Sequence, residues 1–72
     1  YQLPRLSRVW LGIYNLHGRC IRLLVHSNQE AGLHSVVWDG CDEHGVKMSS
    51  DIYFYRIKAG DFSAVRKMVL LQ

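Results

Sequence analysis

The stretch Ala31 to Gly60, AGLHSVVWDGCDEHGVKMSSDIYFYRIKAG, decides how this chain is read. Two apolar segments of alternating pattern flank a loop dense in Gly, Asp and Ser. The first ends in Trp38-Asp39-Gly40, and the second carries Tyr53 and Tyr55 two residues apart. Side chains of a strand point alternately to opposite faces, so period-two hydrophobicity between turn residues predicts half-buried antiparallel strands.

The same pattern extends outward. Tyr1-Gln2-Leu3 is the end of a strand that Pro4 stops. Ser7 to Tyr14 alternates, with Val9, Leu11 and Ile13 on one face and Arg8, Trp10, Gly12 and Tyr14 on the other. Asn15-Leu16-His17-Gly18 reads as a turn, with Gly18 suited to positive φ. Arg19 to His26 is the next predicted strand, followed by a polar loop over Ser27 to Gly32. Leu33 to Trp38 is then predicted as a strand with His34, Val36 and Trp38 on one side, and Val46 to Met48 as a short addition. Asp51 to Lys58 sets Tyr53, Tyr55 and Ile57 against Ile52, Phe54 and Arg56 on the other face. Ala59-Gly60-Asp61 turns the chain into a last strand, Phe62 to Leu71. Every apolar run is short and broken, so no helical period survives. Six or seven short strands predict an all-β sandwich of about seven antiparallel strands. Its expected core is Val9, Leu11, Ile13, Ile21, Val36, Trp38, Tyr53, Tyr55 and Ile57. Trp10, Tyr14, Ile52 and Phe54, on the opposite parity, would form an exposed apolar patch of the kind that meets a partner.

With 72 residues the chain makes one domain. A chain this small buries only about 60% of its unfolded surface, so little stability is in reserve. Cys20 and Cys41 could form one bridge at most, and free thiols are the preferred reading. The net charge is +3, but the basic residues are scattered along the chain at strand spacing, where Lys and Arg discourage edge pairing. That distribution argues against nucleic acid as a partner. No apolar run approaches the roughly 20 residues of a membrane-spanning helix. With neither an initiating Met nor a signal-peptide pattern, the sequence reads as a piece of a longer protein.

Four kinds of chemistry compete with structural readings of these residues. Asp39, Asp42 and Glu43 offer oxygen ligands, but the spacing of a calcium loop is missing, and turn Asp residues commonly bond their own backbone. His17, His26, His34 and His44 lack the paired spacing of a zinc site. Cys20 or Cys41 with His34 and Asp39 could be written as a triad, yet no local motif or pocket supports it, so no catalytic residue and no cofactor are expected. Trp38, Tyr53, Tyr55 and Phe54 could stack a sugar, but Trp38, Tyr53 and Tyr55 read more simply as core anchors.

Three segments, IYNLHGRCIRLLV, AGLHSVVWDGCDEHG and SSDIYFYRIKAGDFSAVRKMVLLQ, together resemble the FlgD-type immunoglobulin-like domain. Relatives of that domain also serve as C-terminal sorting domains of secreted bacterial proteins, including type IX secretion cargo. The resemblance rests on Ile13, Tyr14, Asn15 and Gly18, then on Ala31, Gly32, His34, Val36, Trp38, Asp39 and Gly40, with Asp42 and Gly45 in the turn. It continues through Tyr53, Tyr55, Ile57, Ala59 and Gly60 and closes on Lys67, Met68 and Leu70. The chain departs from the family pattern at Ser50-Asp51, where the pattern has Ser-Gly, and in its opening strand, of which only Tyr1 to Pro4 remains.

The resemblance implies an immunoglobulin-like sandwich over residues 1–72, a non-catalytic C-terminal module of an exported bacterial protein. Its expected site is extracellular or at the cell surface, reached through the periplasm. Lys67, Met68, Val69, Leu70 and Leu71 would then present a strand to secretion machinery or to other domains of the parent protein. The alternatives are an assembly module of the flagellar hook-capping type and a carbohydrate-binding accessory domain. The missing opening strand would leave a sheet edge unpaired, which predicts edge-strand dimers or strand swapping.

Overall fold

The computed structural model describes residues 1–71. Their strands are β1 (Gln2–Leu3), β2 (Ser7–Tyr14), β3 (Cys20–Gln29), β4 (Gly32–Leu33), β5 (Asp51–Ala59) and β6 (Phe62–Leu70), and no helix occurs among the described residues. The chain is all-β, with two antiparallel sheets. One has four long strands in the order β3-β2-β5-β6, and the other is the short ribbon β1-β4.

The large sheet is two hairpins joined along one seam. In β2 and β3, Trp10 faces His26 and Leu11 faces Val25, with irregularities after Leu11 and after Ile13. The first shift leaves Leu24 as an extra residue, so Leu24 and Val25, neighbours in sequence, both pack on the core. In β5 and β6 the register runs unbroken from Asp51 opposite Leu70 to Ala59 opposite Phe62. Their turn has Gly60 at φ 60 and Asp61 at negative φ, the pattern of a two-residue turn that opens on glycine. Between the hairpins, β2 pairs with β5, placing Leu11 opposite Ile57 and Ile13 opposite Tyr55.

One face of this sheet is the core. Leu3, Val9, Leu11, Ile57 and Ala59 form its cluster, with Ile13 and Tyr53 also buried. Val9 and Ile13 are closed off from solvent, and burial of each contributes roughly 1.5–3 kcal/mol. Leu3 is the contribution of the β1-β4 ribbon. The radius of gyration is 12.6 Å, against about 11 Å for a compact chain of this length. A slab of 36 × 20 × 17 Å results, with its second layer thin.

Six strands stand where about seven were expected. Of Leu33 to Trp38 only Leu33 lies in a strand, the end of β4, because after His34 no strand pairs with the segment among the described residues; Val36 and Val37 are exposed. Val46 to Met48 reduces to a single bridge between Cys41 and Lys47. Ser27 to Gln29, expected as loop, extends β3 opposite Ser7, Arg8 and Val9. The core shifts accordingly. Leu3 and Ala59 join it, while Ile21, Trp38 and Tyr55 are half-buried and Val36 lies outside. Asp51, which replaces the glycine of the family pattern, lies in β5, and its Oδ1 accepts from the Ile52 N–H at 2.7 Å. No residue other than glycine has positive φ among those described.

Candidate interaction surface

Two turns of one design organise the loops. Asn15 Oδ1 accepts from the N–H of His17 (2.9 Å) and Arg19 (3.0 Å), while Gly18 N–H donates to Asn15 O and Asn15 N–H to Arg19 O. Asp42 repeats this with His44 (2.9 Å) and Val46 (3.0 Å), Gly45 N–H on Asp42 O and Asp42 N–H on Val46 O. Gly18 and Gly45 each have φ 80, a conformation that favours glycine. These bonds, that from Val46 foremost, hold the Asp42 carboxyl below its ordinary value, with the charges of His44 and Arg22 adding to them.

The second turn is tied to the sheet through β3. Arg22 Nη1 donates to Asp39 Oδ1 (3.2 Å) and to the carbonyls of Cys41 and Asp42. Asp39 Oδ1 also accepts the Cys41 N–H at 2.9 Å. Gly40, buried at φ 80, accepts from Met48 N–H at 2.8 Å. Glu43 meets the free edge of β3, where its N–H donates to Ile21 O and its carboxylate accepts the Leu23 N–H at 2.6 Å. The oxygens that suggested a cation loop are thus engaged in turn and edge bonds. No group of three His, Cys, Asp or Glu side chains is placed to hold a metal among the described residues. Both thiols are free.

The aromatic anchors lie together. Trp38 meets Tyr53 edge-on at 5.3 Å between ring centroids, and its Nε1 donates to Cys41 O at 2.9 Å. Tyr53 is buried, and its hydroxyl donates to Ser49 O at 2.8 Å. Tyr55 lies beside them on the same face of β5, lining an open apolar cleft of about 500 Å3 with Ile13, Leu24, Trp38, Phe62 and Met68. Phe54 faces the other way, so the four aromatics form no single platform. His34 stacks on Tyr1 at 5.2 Å, and its Nε2 is 2.7 Å from Glu30 O. It is therefore apart from the cysteines and Asp39.

Of the expected docking residues, Lys67 to Leu70 lie in β6, an outer strand of the sheet, and Leu71 follows it. Lys67, Val69 and Leu71 are exposed, and Met68 and Leu70 are half-buried toward the cleft side. Gln72 lies outside the described residues. A two-residue hairpin makes Ala59 and Phe62 the pair that exchanges both backbone bonds, so Ala64, Arg66 and Met68 also bond inward to β5. Ser63, Val65, Lys67 and Val69 therefore turn their N–H and C=O groups outward. Among the described residues no backbone group reaches them, and only the Val65 carbonyl is covered, by its neighbour Arg66 at 3.0 Å. An uncovered edge flanked by exposed Val65 and Val69 is a template for another strand.

A family model, the FlgD Ig-like domain, matches residues 3–62 of the chain. The chain belongs to the FlgD Ig-like domain family. No curated protein matches it, and no solved structure does. Members of the FlgD Ig-like family are non-enzymatic structural domains. The match includes both Asx turns, the Trp38–Tyr53 pair and the seam between β2 and β5. It ends at the first residue of β6, so Lys67, Met68 and Leu70, which extended the sequence resemblance, lie beyond it. No helix among the described residues is long and apolar enough to cross a membrane.

One grouping is hidden in the linear sequence. Arg8, Arg56, Lys58 and Lys67, scattered along the chain, share one face of the large sheet with Trp10, Tyr14 and Phe54. The alternating parity of β2 and β5 carried that information, but joining them needed the register.

Proposed function

We propose that this FlgD Ig-like domain is a non-catalytic, C-terminal protein-docking module of an exported bacterial protein, acting in secretion sorting or cell-surface attachment. The observation that carries the reading is the contrast between the two edges of the large sheet. Glu43 covers β3 at Ile21 and Leu23, whereas β6 keeps its outward N–H and C=O groups uncovered beside apolar side chains. Strand addition along such an edge gains main-chain hydrogen bonds, and alternate side chains supply specificity. The receptor is a β-rich component of the outer-membrane machinery, and Lys67 to Leu71 carry the contact. The module works outside the cytoplasm, in the periplasm and then at the surface.

A secretion assay tests this. A signal peptide and a fluorescent reporter are fused ahead of the domain in a host with type IX machinery, with and without residues 67–72. Reporter at the surface or in the medium only with the tail supports sorting. Periplasmic retention of both forms, with the intact domain folded, refutes it. The same uncovered edge favours a second reading, in which β6 pairs with β6 of another copy in an assembly module. Sedimentation equilibrium distinguishes the two, because self-pairing through β6 gives a dimer that a proline at Val65 abolishes.

A further inference from the structure

The outer face of the large sheet, opposite the core, segregates charge. Its strand positions are Arg8, Trp10, Gly12 and Tyr14 on β2, and Ile52, Phe54, Arg56 and Lys58 on β5. Ser63, Val65, Lys67 and Val69 on β6 and Cys20, Leu23, His26 and Asn28 on β3 complete it. No Asp or Glu stands among these positions, although the chain holds six. Arg56, Lys58 and Lys67 make no ion pair among the described residues, and Arg8 Nη2 is 3.2 Å from His26 Nε2 rather than beside a carboxylate. Four cations thus share one face without a counter-charge.

That face also has a floor of aromatic rings. A Cβ built on Gly12 would come within 3.0 Å of the far end of the Trp10 indole, so the ring lies down over Gly12 and occupies the space a side chain would fill. Tyr14 follows at 5.9 Å between centroids, tilted by 43°. Arg56, opposite Gly12 on β5, lines the same depression as Tyr14 and so sets a guanidinium on the side of the second ring. A depression of about 580 Å3 runs over Trp10 and Tyr14 between Arg8, His26, Arg56 and Lys58.

We propose that this depression binds an acidic polysaccharide, a polymer of uronic-acid sugars, stacked on Trp10 and Tyr14 with its carboxylates held by Arg8, Arg56 and Lys58. A flat ring laid along the sheet presents its face to the apolar C–H face of a pyranose. Guanidinium groups pair with carboxylates through two parallel hydrogen bonds, which suits a ligand with a charge on each sugar. Cations alone would draw any polyanion; the aromatic pair, 5.9 Å apart and tilted by 43°, adds two ring faces for linked sugars, and a nucleic acid, whose bases also stack on aromatic side chains, is the competing outcome of the test. The β6 edge points along the plane of the sheet, so this face is open whether or not that edge is occupied.

Affinity electrophoresis of the full chain through gels holding alginate tests the assignment, with neutral pullulan and single-stranded oligothymidylate as parallel probes. Retardation by alginate, lost at high salt and absent with pullulan, is expected. Trp10→Ala and, separately, the double variant Arg56→Gln/Lys58→Gln should each weaken it at least about tenfold. The double variant alters only exposed side chains, so it reports on the site even if Trp10→Ala fails to fold. No retardation by alginate, equal retardation by pullulan, tighter binding of oligothymidylate, or undiminished affinity in the double variant would each overturn the proposal.

Discussion

Proline substitutions at adjacent positions of β6 should differ sharply in cost. Ala64 lies opposite Ile57, and its N–H bonds inward to that buried residue's carbonyl. Ala64→Pro removes this donor and leaves the Ile57 carbonyl unpaired beneath the sheet, at about 1–3 kcal/mol. The ring also crowds β5, so about 3 kcal/mol in total is expected. A domain of this size loses about 4–8 °C of melting temperature per kcal/mol, which makes a fall of roughly 12–24 °C. Val65, one residue on, turns its N–H to solvent and has an exposed side chain. Proline is tolerated at such edge positions, so Val65→Pro should cost no more than about 0.5 kcal/mol, a shift of a few degrees. Thermal melts followed by circular dichroism measure both. In the secretion assay Val65→Pro should nonetheless reduce export, because it removes an outward donor. Equal destabilisation by the two prolines would refute the assignment of inward and outward groups, and with it the reasoning about the edge.

Other consequences follow from individual bonds. Tyr53→Phe leaves the Ser49 carbonyl without its 2.8 Å donor and should cost about 1 kcal/mol in urea unfolding. Glu43→Ala uncovers the Leu23 N–H and should speed its hydrogen exchange, at about 1 kcal/mol of stability. The Asp42 carboxyl titrates lower in the folded chain than in the unfolded one. Its contribution is therefore complete above the unfolded value of about 3.9 and is lost as pH falls from there through the folded value. Stability measured in acid should fall less steeply for Asp42→Asn than for the native chain over that window.

Much of the large sheet was legible because alternation and turn chemistry agree there. The bounds of β2 follow from eight alternating residues between Leu6 and Asn15, and the last hairpin from Ala59-Gly60-Asp61. Alternation tells which side chains share a face but not whether a neighbouring strand exists. Leu33 to Trp38 has the pattern and lacks the neighbour, and Trp38 is instead fixed by Tyr53 and the Cys41 carbonyl. The polar residues at the end of β3 hid a strand, since an edge strand needs no apolar side chains where it faces solvent. The bulge at Leu24 shifted the parity of β3 in a way no local residue signals. The turn role of Asp42 was visible in its Asx-x-x-Gly spacing, whereas the gathering of Arg8, Arg56 and Lys58 arises only from the register across the seam.

The seam between β2 and β5 has a kinetic consequence. Each hairpin closes over a short loop, but the pairing of Leu11 with Ile57 and of Ile13 with Tyr55 must bring together strands separated by the 36 residues 15–50. Closing that interval costs roughly 3 kcal/mol of chain entropy before any seam contact forms in return. Folding of this chain is thus two fast local events followed by one slow encounter. Destabilising Leu11 or Ile57 should slow folding itself, whereas destabilising the turn at Gly60 mainly hastens unfolding. The life of the folded module is then set at the hairpins, and the time it takes to reach that state is set at the seam.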